Sequence, residues 1–163
     1  MIKKNLQDAL NEQINKEMYS GYLYLGMSAH LAEANLPGFA NWMRVQFKEE
    51  QAHAMKLFEY LLDRGGRVAL KSIDAPPATF GSPLAVFQQA LEHEKKVTGL
   101  IHKLYELAEK EKDHALAGEL QWFIKEQVEE EKNATDIVEN LKRAGAQVSA
   151  LMFLDGRLGQ RQG

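Results

Sequence analysis

Apolar residues recur along most of the chain at alternating steps of three and four, the spacing of one face of an α-helix. The second such stretch is typical, with Met43, Phe47, Ala54, Leu57 and Leu61 on one seam. The same spacing predicts four long helices, over residues 6–35, 37–64, 83–109 and 114–144. A shorter amphipathic helix is predicted over residues 149–158.

Short corners with capping residues separate the first helix from the second and the third from the fourth. Asn5, Ser82 and Asp113 are predicted N-caps, because their side chains can accept hydrogen bonds from free backbone N–H groups. Pro37 suits the first turn of a helix, and Gly145 is expected to end the fourth. Corners this short make the helices of each pair antiparallel neighbours.

The segment from Gly65 to Ser82 carries no helical pattern and is interrupted by prolines and glycine. About 17 extended residues can span roughly 56 Å, whereas a helix of about 28 residues is roughly 42 Å long. The segment can therefore cross the whole length of a helix, which predicts that the second and third helices are parallel. Its Val68, Leu70, Ile73 and Phe80 are expected to lie against the bundle.

The predicted fold is all-α: a four-helix bundle with a long crossover between its second and third helices and a short fifth helix. With 163 residues, of which 45% are hydrophobic, the chain can bury one substantial core. We assign residues 1–145 to the bundle and residues 146–163 to a short C-terminal helix and tail of the same domain. The tail from Gly159 is expected to be loose.

Composition narrows the classes of function. The net charge of −3 and the lack of a basic block argue against nucleic acid as a partner. The chain has no cysteine, which excludes disulfides and thiolate metal sites. It has no apolar run long enough for a membrane span and no apolar segment after its polar start, so we expect a cytoplasmic protein without a membrane partner.

Each long helix has a polar interruption near the middle of its apolar seam. The interruptions are Glu17 in the first helix, Glu50 and His53 in the second, Glu94 in the third, and Gln127 and Glu130 in the fourth. Mid-helix positions of neighbouring helices meet at the same height whatever the helix direction. The pattern therefore predicts that four glutamates, one histidine and one amide meet at a single buried level.

This predicted cluster has the chemistry of a metal centre. Four buried carboxylates without cations would repel one another and take up protons, whereas two iron ions would neutralise them. Oxygen-rich ligation with one imidazole suits iron or manganese better than copper or structural zinc. A single mid-helix glutamate is usually surface charge, and a single histidine is usually structural. A bundle without metal, serving as an interaction module, therefore remains an alternative at this point.

The chain resembles the bacterial non-haem ferritins over nearly its full length. The resemblance rests on four stretches together: residues 13–17 (QINKE), 49–53 (EEQAH), 93–94 (HE) and 127–131 (QVEEE). It implies a ferritin-like bundle that stores iron and acts as a ferroxidase, oxidising Fe(II) to Fe(III) with O2 or H2O2 at a di-iron centre within one subunit. It also implies a homo-oligomer, a hollow shell of about 24 subunits that holds the mineral.

The resemblance implies a role for each matching residue. Ligands of the first iron are Glu17, Glu50 and His53, with Glu50 bridging. Ligands of the second iron are Glu94 and Glu130, with Gln127 beside them as a hydrogen-bonding or weakly ligating side chain. A third iron site is implied at Glu49, Glu126, Glu129 and Glu130, although these residues also fit a solvated acidic helix face.

Tyr24 matches the family's tyrosine near the di-iron centre, and the resemblance implies that it supplies an electron during oxygen reduction. A buried core phenol is the other interpretation of Tyr24, and Trp122 is assigned to the core.

Haem is not expected. Gln51 stands where bacterioferritins carry the haem methionine, and Gln127 and Glu130 replace their second Glu-x-x-His motif. A di-iron oxidase or peroxidase that stores no mineral remains the alternative function.

Overall fold

The computed structural model describes residues 1–163 and contains five α-helices and no strand. The helices are α1 (Lys4–Glu33), α2 (Pro37–Asp63), α3 (Pro83–Lys110), α4 (His114–Ala144) and α5 (Val148–Leu158). The predicted all-α bundle with a short fifth helix is therefore confirmed. None of these helices combines the length and the hydropathy needed to cross a membrane.

Contacts at one end of the bundle give the directions of the four long helices. Arg64, after α2, forms an ion pair with Asp113, before α4, with 2.9 Å between Nη2 and Oδ2. Lys3, before α1, pairs in the same way with Glu111, after α3, at 2.9 Å. The end of α2 thus meets the start of α4, and the end of α3 meets the start of α1. Helices α2 and α3 therefore run parallel, as the crossover predicts.

The crossover between α2 and α3 is held against α1 by hydrogen bonds between side chains of α1 and the crossover backbone. The side chain of Asn11 binds the carbonyl of Arg67 at 3.0 Å and the amide of Ala69 at 2.8 Å. The expectation that four apolar side chains lie on the bundle was half wrong. Val68 and Phe80 pack on it, whereas Leu70 and Ile73 remain 73% and 42% exposed, because polar side chains of α1 already hold the segment.

Two of the three predicted N-caps are confirmed. Ser82 and Asp113 each accept a hydrogen bond from a backbone N–H in the first turn, at 3.2 and 3.0 Å. The prediction for Asn5 was wrong, because α1 already begins at Lys4. The amide of Asn5 instead donates to the carboxylate of Glu111 at 2.9 Å and ties the start of α1 to the end of α3.

The buried core is divided into two apolar clusters along the bundle axis. One cluster of 17 residues includes Tyr24, Phe39, Phe87 and Leu141, and the other, of 12 residues, includes Leu10, Leu57, Ile101 and Leu120. Along α2 the chain passes from Met43 in the first cluster to Leu57 in the second, with Glu50 and His53 between them. The predicted polar level therefore separates two apolar layers.

The short helix α5 packs across the start of α2. The amide of Phe39 donates to the Asp155 carboxylate at 2.9 Å. A Cβ atom on Gly38 would lie 1.6 Å from the carbonyl oxygen of Asp155, so this approach requires glycine. The expectation of a loose tail was wrong, because the Asn41 side chain holds the carbonyl of Arg161 at 3.0 Å.

Candidate metal centre

All six polar residues predicted from the helix seams lie together inside the bundle. Each is at most 5% exposed, although the helices that carry them are far apart in sequence. They are Glu17 from α1, Glu50 and His53 from α2, Glu94 from α3, and Gln127 and Glu130 from α4. The helical period brings each of them to the inward face, and the mid-helix position sets their common level.

The ligand atoms form two overlapping groups. One consists of Glu17, Glu50 and His53, the other of Glu50, Glu94 and Glu130, and within each group the atoms lie within 4.8 Å of one another. Nδ1 of His53 is 3.5 Å from Oε2 of Glu50. Because Glu50 belongs to both groups, the arrangement suits two neighbouring cations that share one carboxylate.

Neighbouring amides orient two of these carboxylates. Gln13 donates to Oε1 of Glu17 at 2.7 Å, and Gln127 donates to Oε2 of Glu94 at 3.1 Å. The other oxygen of Glu17, Oε2, is buried without any hydrogen-bond partner. A buried carboxylate oxygen without a partner is costly in free energy, and a cation at this point would satisfy it. The residues therefore fit a hard cation such as iron.

Burial raises the pKa of every carboxyl group in the centre. The pKa values of Glu17 and Glu50 lie well above the usual range, because both groups are desolvated and face a neighbouring carboxylate. Burial also raises the pKa of Glu94, and it raises that of Glu130 to about 8 with a further contribution from the charge of Glu94. Without cations the centre therefore holds protons, which metal binding must release.

Tyr24 lies directly beside the second group of ligands. It is 1% exposed, its hydroxyl donates to Oε1 of Glu94, and its ring meets the edge of His93 at 5.8 Å between centroids. Burial and the charge of Glu94 raise the pKa of the phenol well above its ordinary value. Tyr24 therefore remains protonated and supplies a hydrogen bond to a predicted metal ligand.

Sequence reasoning missed Gln46, a buried amide in contact with two of the predicted ligands. Its Nε2 donates to Oε1 of Glu50 at 3.2 Å and to Oε2 of Glu130 at 2.7 Å. The available signal was its spacing, because Gln46 lies one helical turn before Glu50 in the sequence. In the structure its side chain is 1% exposed.

The residues predicted for a third iron site are only partly brought together. Glu126 and Glu130 form a group with His53, whose Nε2 is 3.8 Å from Oε2 of Glu126. Glu49 belongs to none of the three groups and forms an ion pair with Arg161 at 2.8 Å. Glu129 also belongs to no group and is exposed on α4.

The assignment of Trp122 to the core was wrong. Its side chain is 39% exposed, and its ring covers His53 edge-on at 5.4 Å between centroids. Lys56 lies over the outer face of the indole, with Nζ at 4.9 Å from the ring centroid. Trp122 thus shields the imidazole from solvent at the surface, a position that the apolar period of α4 alone does not reveal.

The sequence matches the ferritin-like domain over residues 7–144. The chain belongs to the ferritin family. It is 44% identical to a bacterial non-heme ferritin of Bacteroides fragilis, over 99% of this chain and 100% of that protein. It is 38% identical to one of Staphylococcus haemolyticus, over 99% of this chain and 97% of that relative.

The solved ferritins show the same architecture. The structure is similar to an open pore ferritin of the hyperthermophilic archaeon Archaeoglobus fulgidus, with a TM-score of 0.99 and 51% identity, covering 99% of this chain and 100% of that chain. The resemblance drawn from the sequence is thus confirmed. As a ferritin, the chain is an iron-storage protein, and iron is the metal that its carboxylate and histidine groups fit.

The raised pKa of Glu130 predicts a pH-dependent stability of the metal-free protein. Between its ordinary value of 4.5 and about 8, the folded state binds more protons at Glu130 than the unfolded chain does. The free energy of unfolding must therefore fall as the pH rises through this window. Thermal melts of chelator-treated Glu130→Gln should show a shallower fall in Tm over this range than the wild type shows.

Glu59→Gln is the matched control, because Glu59 is exposed on α2 and loses the same charge. It should keep the wild-type pH dependence. Equal slopes in wild type and Glu130→Gln would show that Glu130 is already ionised in the metal-free fold.

Proposed function

We propose that this ferritin is a ferroxidase that oxidises pairs of Fe(II) ions at one centre within each subunit. The observation that carries the proposal is the pair of overlapping ligand groups joined by Glu50. Glu17, Glu50 and His53 would bind the first Fe(II). Glu94 and Glu130 would bind the second, with Glu50 bridging and Gln127 orienting Glu94.

The ligand set favours oxidation of the bound substrate. Carboxylate oxygens are hard donors that bind Fe(III) more tightly than Fe(II), which lowers the reduction potential of the iron. Two Fe(II) ions supply two electrons, which with two protons reduce O2 to H2O2. With H2O2 as the oxidant, the same two electrons and two protons give two molecules of water.

We assign Tyr24 to this chemistry as an electron donor close to the second iron. The position of the phenol supports this assignment, because its buried hydroxyl donates a hydrogen bond to Glu94. The phenol, the two Fe(II) ions of the centre and one further Fe(II) supply the four electrons that, with four protons, reduce O2 to two molecules of water, and the Glu94 carboxylate accepts the phenolic proton.

We further propose that the Fe(III) product is stored as a hydrated oxide inside a homo-oligomeric shell of about 24 subunits. Support comes from apolar side chains that α5 leaves uncovered in the single chain. Val148, Met152 and Phe153 are each between 66% and 70% exposed, which is typical of a surface that another subunit covers. A third iron site at Glu49, Glu126, Glu129 and Glu130 stays a prediction within this proposal.

Loss of a ligand from the first group should abolish fast iron oxidation. Glu50→Ala removes the shared carboxylate, and His53→Ala removes the only imidazole among the proposed ligands. We expect each substitution to slow oxidation by about 100-fold or more, the usual cost of losing one group that stabilises charge in a transition state. The measurement is the rise of near-ultraviolet absorbance after Fe(II) is added to iron-free protein in air.

Glu59→Ala serves as the control in this assay, because Glu59 is an exposed glutamate of the same helix. It should oxidise iron at the wild-type rate. A wild-type rate no faster than that of buffer would contradict the ferroxidase proposal. Storage in a shell is tested by size-exclusion chromatography after Fe(II) has been added and oxidised. Elution of the protein as a monomer or dimer without iron would contradict it.

Tyr24→Phe tests the role of the phenol separately from iron binding. The variant keeps the buried ring and loses only the hydroxyl that contacts Glu94, so Fe(II) binding under anaerobic conditions should persist. The oxidation rate should fall several-fold, and more H2O2 should accumulate per iron oxidised. Unchanged kinetics and peroxide yield would reduce Tyr24 to a packing residue.

A further inference from the structure

The tail after α5 reaches the metal centre through two residues that the proposed reaction does not use. Arg161 donates from Nη2 to Oε1 of Gln46 at 3.0 Å, and Gln46 donates from Nε2 to Glu50 and Glu130. Glu50 and Glu130 belong to the ligand group around the second iron position. A chain of hydrogen bonds thus joins the tail to two predicted ligands.

The orientation of the Gln46 amide decides whether it supports these carboxylates or repels them. An amide has an acceptor end and a donor end of nearly the same shape, so packing alone does not choose between its two orientations. Arginine offers donors only and must face the amide oxygen. The opposite orientation would place the amide NH2 against the guanidinium and the amide oxygen against Glu50 and Glu130.

Arg161 is itself held firmly enough to impose this choice. Its guanidinium lies over the ring of Trp42 at 4.2 Å, and Nη1 donates to the Trp42 carbonyl at 3.2 Å. Nη2 also donates to Glu49 at 2.8 Å, and Asn41 binds the backbone carbonyl of Arg161. The side chain is only 18% exposed.

We propose that Arg161 is a positioning residue for the metal centre, which fixes the amide of Gln46 so that Gln46 holds Glu50 and Glu130 ready for metal. The proposal rests on the proposed function, since Glu50 and Glu130 act as metal ligands only there. Each carboxylate oxygen bound by Gln46 keeps a second lone pair for a cation. The C-terminal tail then helps to orient two ligands of the site.

The direction in which metal affinity changes when Arg161 is removed distinguishes a positioning role from a purely electrostatic one. Arg161 is a cation near a site for cations, so its charge alone would weaken metal binding, and its removal would tighten it. A positioning role predicts the opposite result. Removal of Arg161 lets the Gln46 amide turn, the support of two ligands is lost, and metal binding weakens.

The test is binding of Co(II), chosen because it undergoes no oxidation in air and its visible d–d bands report coordination. Calorimetric titrations compare wild type, Arg161→Ala, Gln46→Ala and the double variant. Loss of a residue that orients metal ligands typically costs about 10- to 100-fold in affinity, so Gln46→Ala should lose about tenfold and Arg161→Ala about three- to tenfold. The double variant should be no weaker than Gln46→Ala alone, because Arg161 acts through Gln46.

Arg157→Ala is the matched control, since Arg157 carries the same charge one turn earlier, near the end of α5, and is exposed. It should bind Co(II) like the wild type. Arg161→Gln is the second variant if Arg161→Ala fails to assemble. Unchanged or tighter binding without Arg161, or losses that multiply in the double variant, would overturn the proposal. A wild type that binds no Co(II) would instead refute the metal centre itself, and with it this inference.

Discussion

The structure depends on the burial of four carboxyl groups between two apolar layers. Desolvation and mutual repulsion make their ionised forms unfavourable, which is why the pKa of Glu130 rises to about 8 and the others rise with it. Protons or cations can relieve this repulsion, and a cation bound among these groups would displace their protons. The unfavourable burial of these carboxyl groups in the metal-free protein is thus what suits the centre to a cation.

The packing of the helices brings these carboxyl groups to one level of the bundle. The closest helix pairs are α1 with α2 and α3 with α4, and each pair supplies part of the ligand set. Gly21 lets α1 approach α2 closely beside the centre, because a Cβ atom there would lie 3.3 Å from the carbonyl oxygen of Phe47. The long crossover then places α3 parallel to α2, so that Glu94 faces Glu50 across the bundle.

The helix seams predicted the bundle and the six inward polar residues, because these depend on periodicity within one helix, and the length of the segment without that period predicted the crossover. The sequence did not reveal the contact of Gln46 with Glu130 or that of Arg161 with Gln46, whose partners are 84 and 115 residues apart. The tail has no helical period that would place Arg161, and its position after the last helix predicted a loose segment. Leu70 was misplaced for a related reason, since hydrogen bonds from α1 hold the crossover without burying that side chain.

The central claim is that these carboxylates and His53 bind two neighbouring metal ions that share Glu50. Anomalous diffraction from crystals soaked with Fe(II) without oxygen measures this most directly, because it locates iron independently of the surrounding protein. Two peaks are expected in each subunit, one among Glu17, Glu50 and His53 and one among Glu50, Glu94 and Glu130. Iron found only at exposed acidic residues such as Glu129, with no peak beside Glu50, would contradict it.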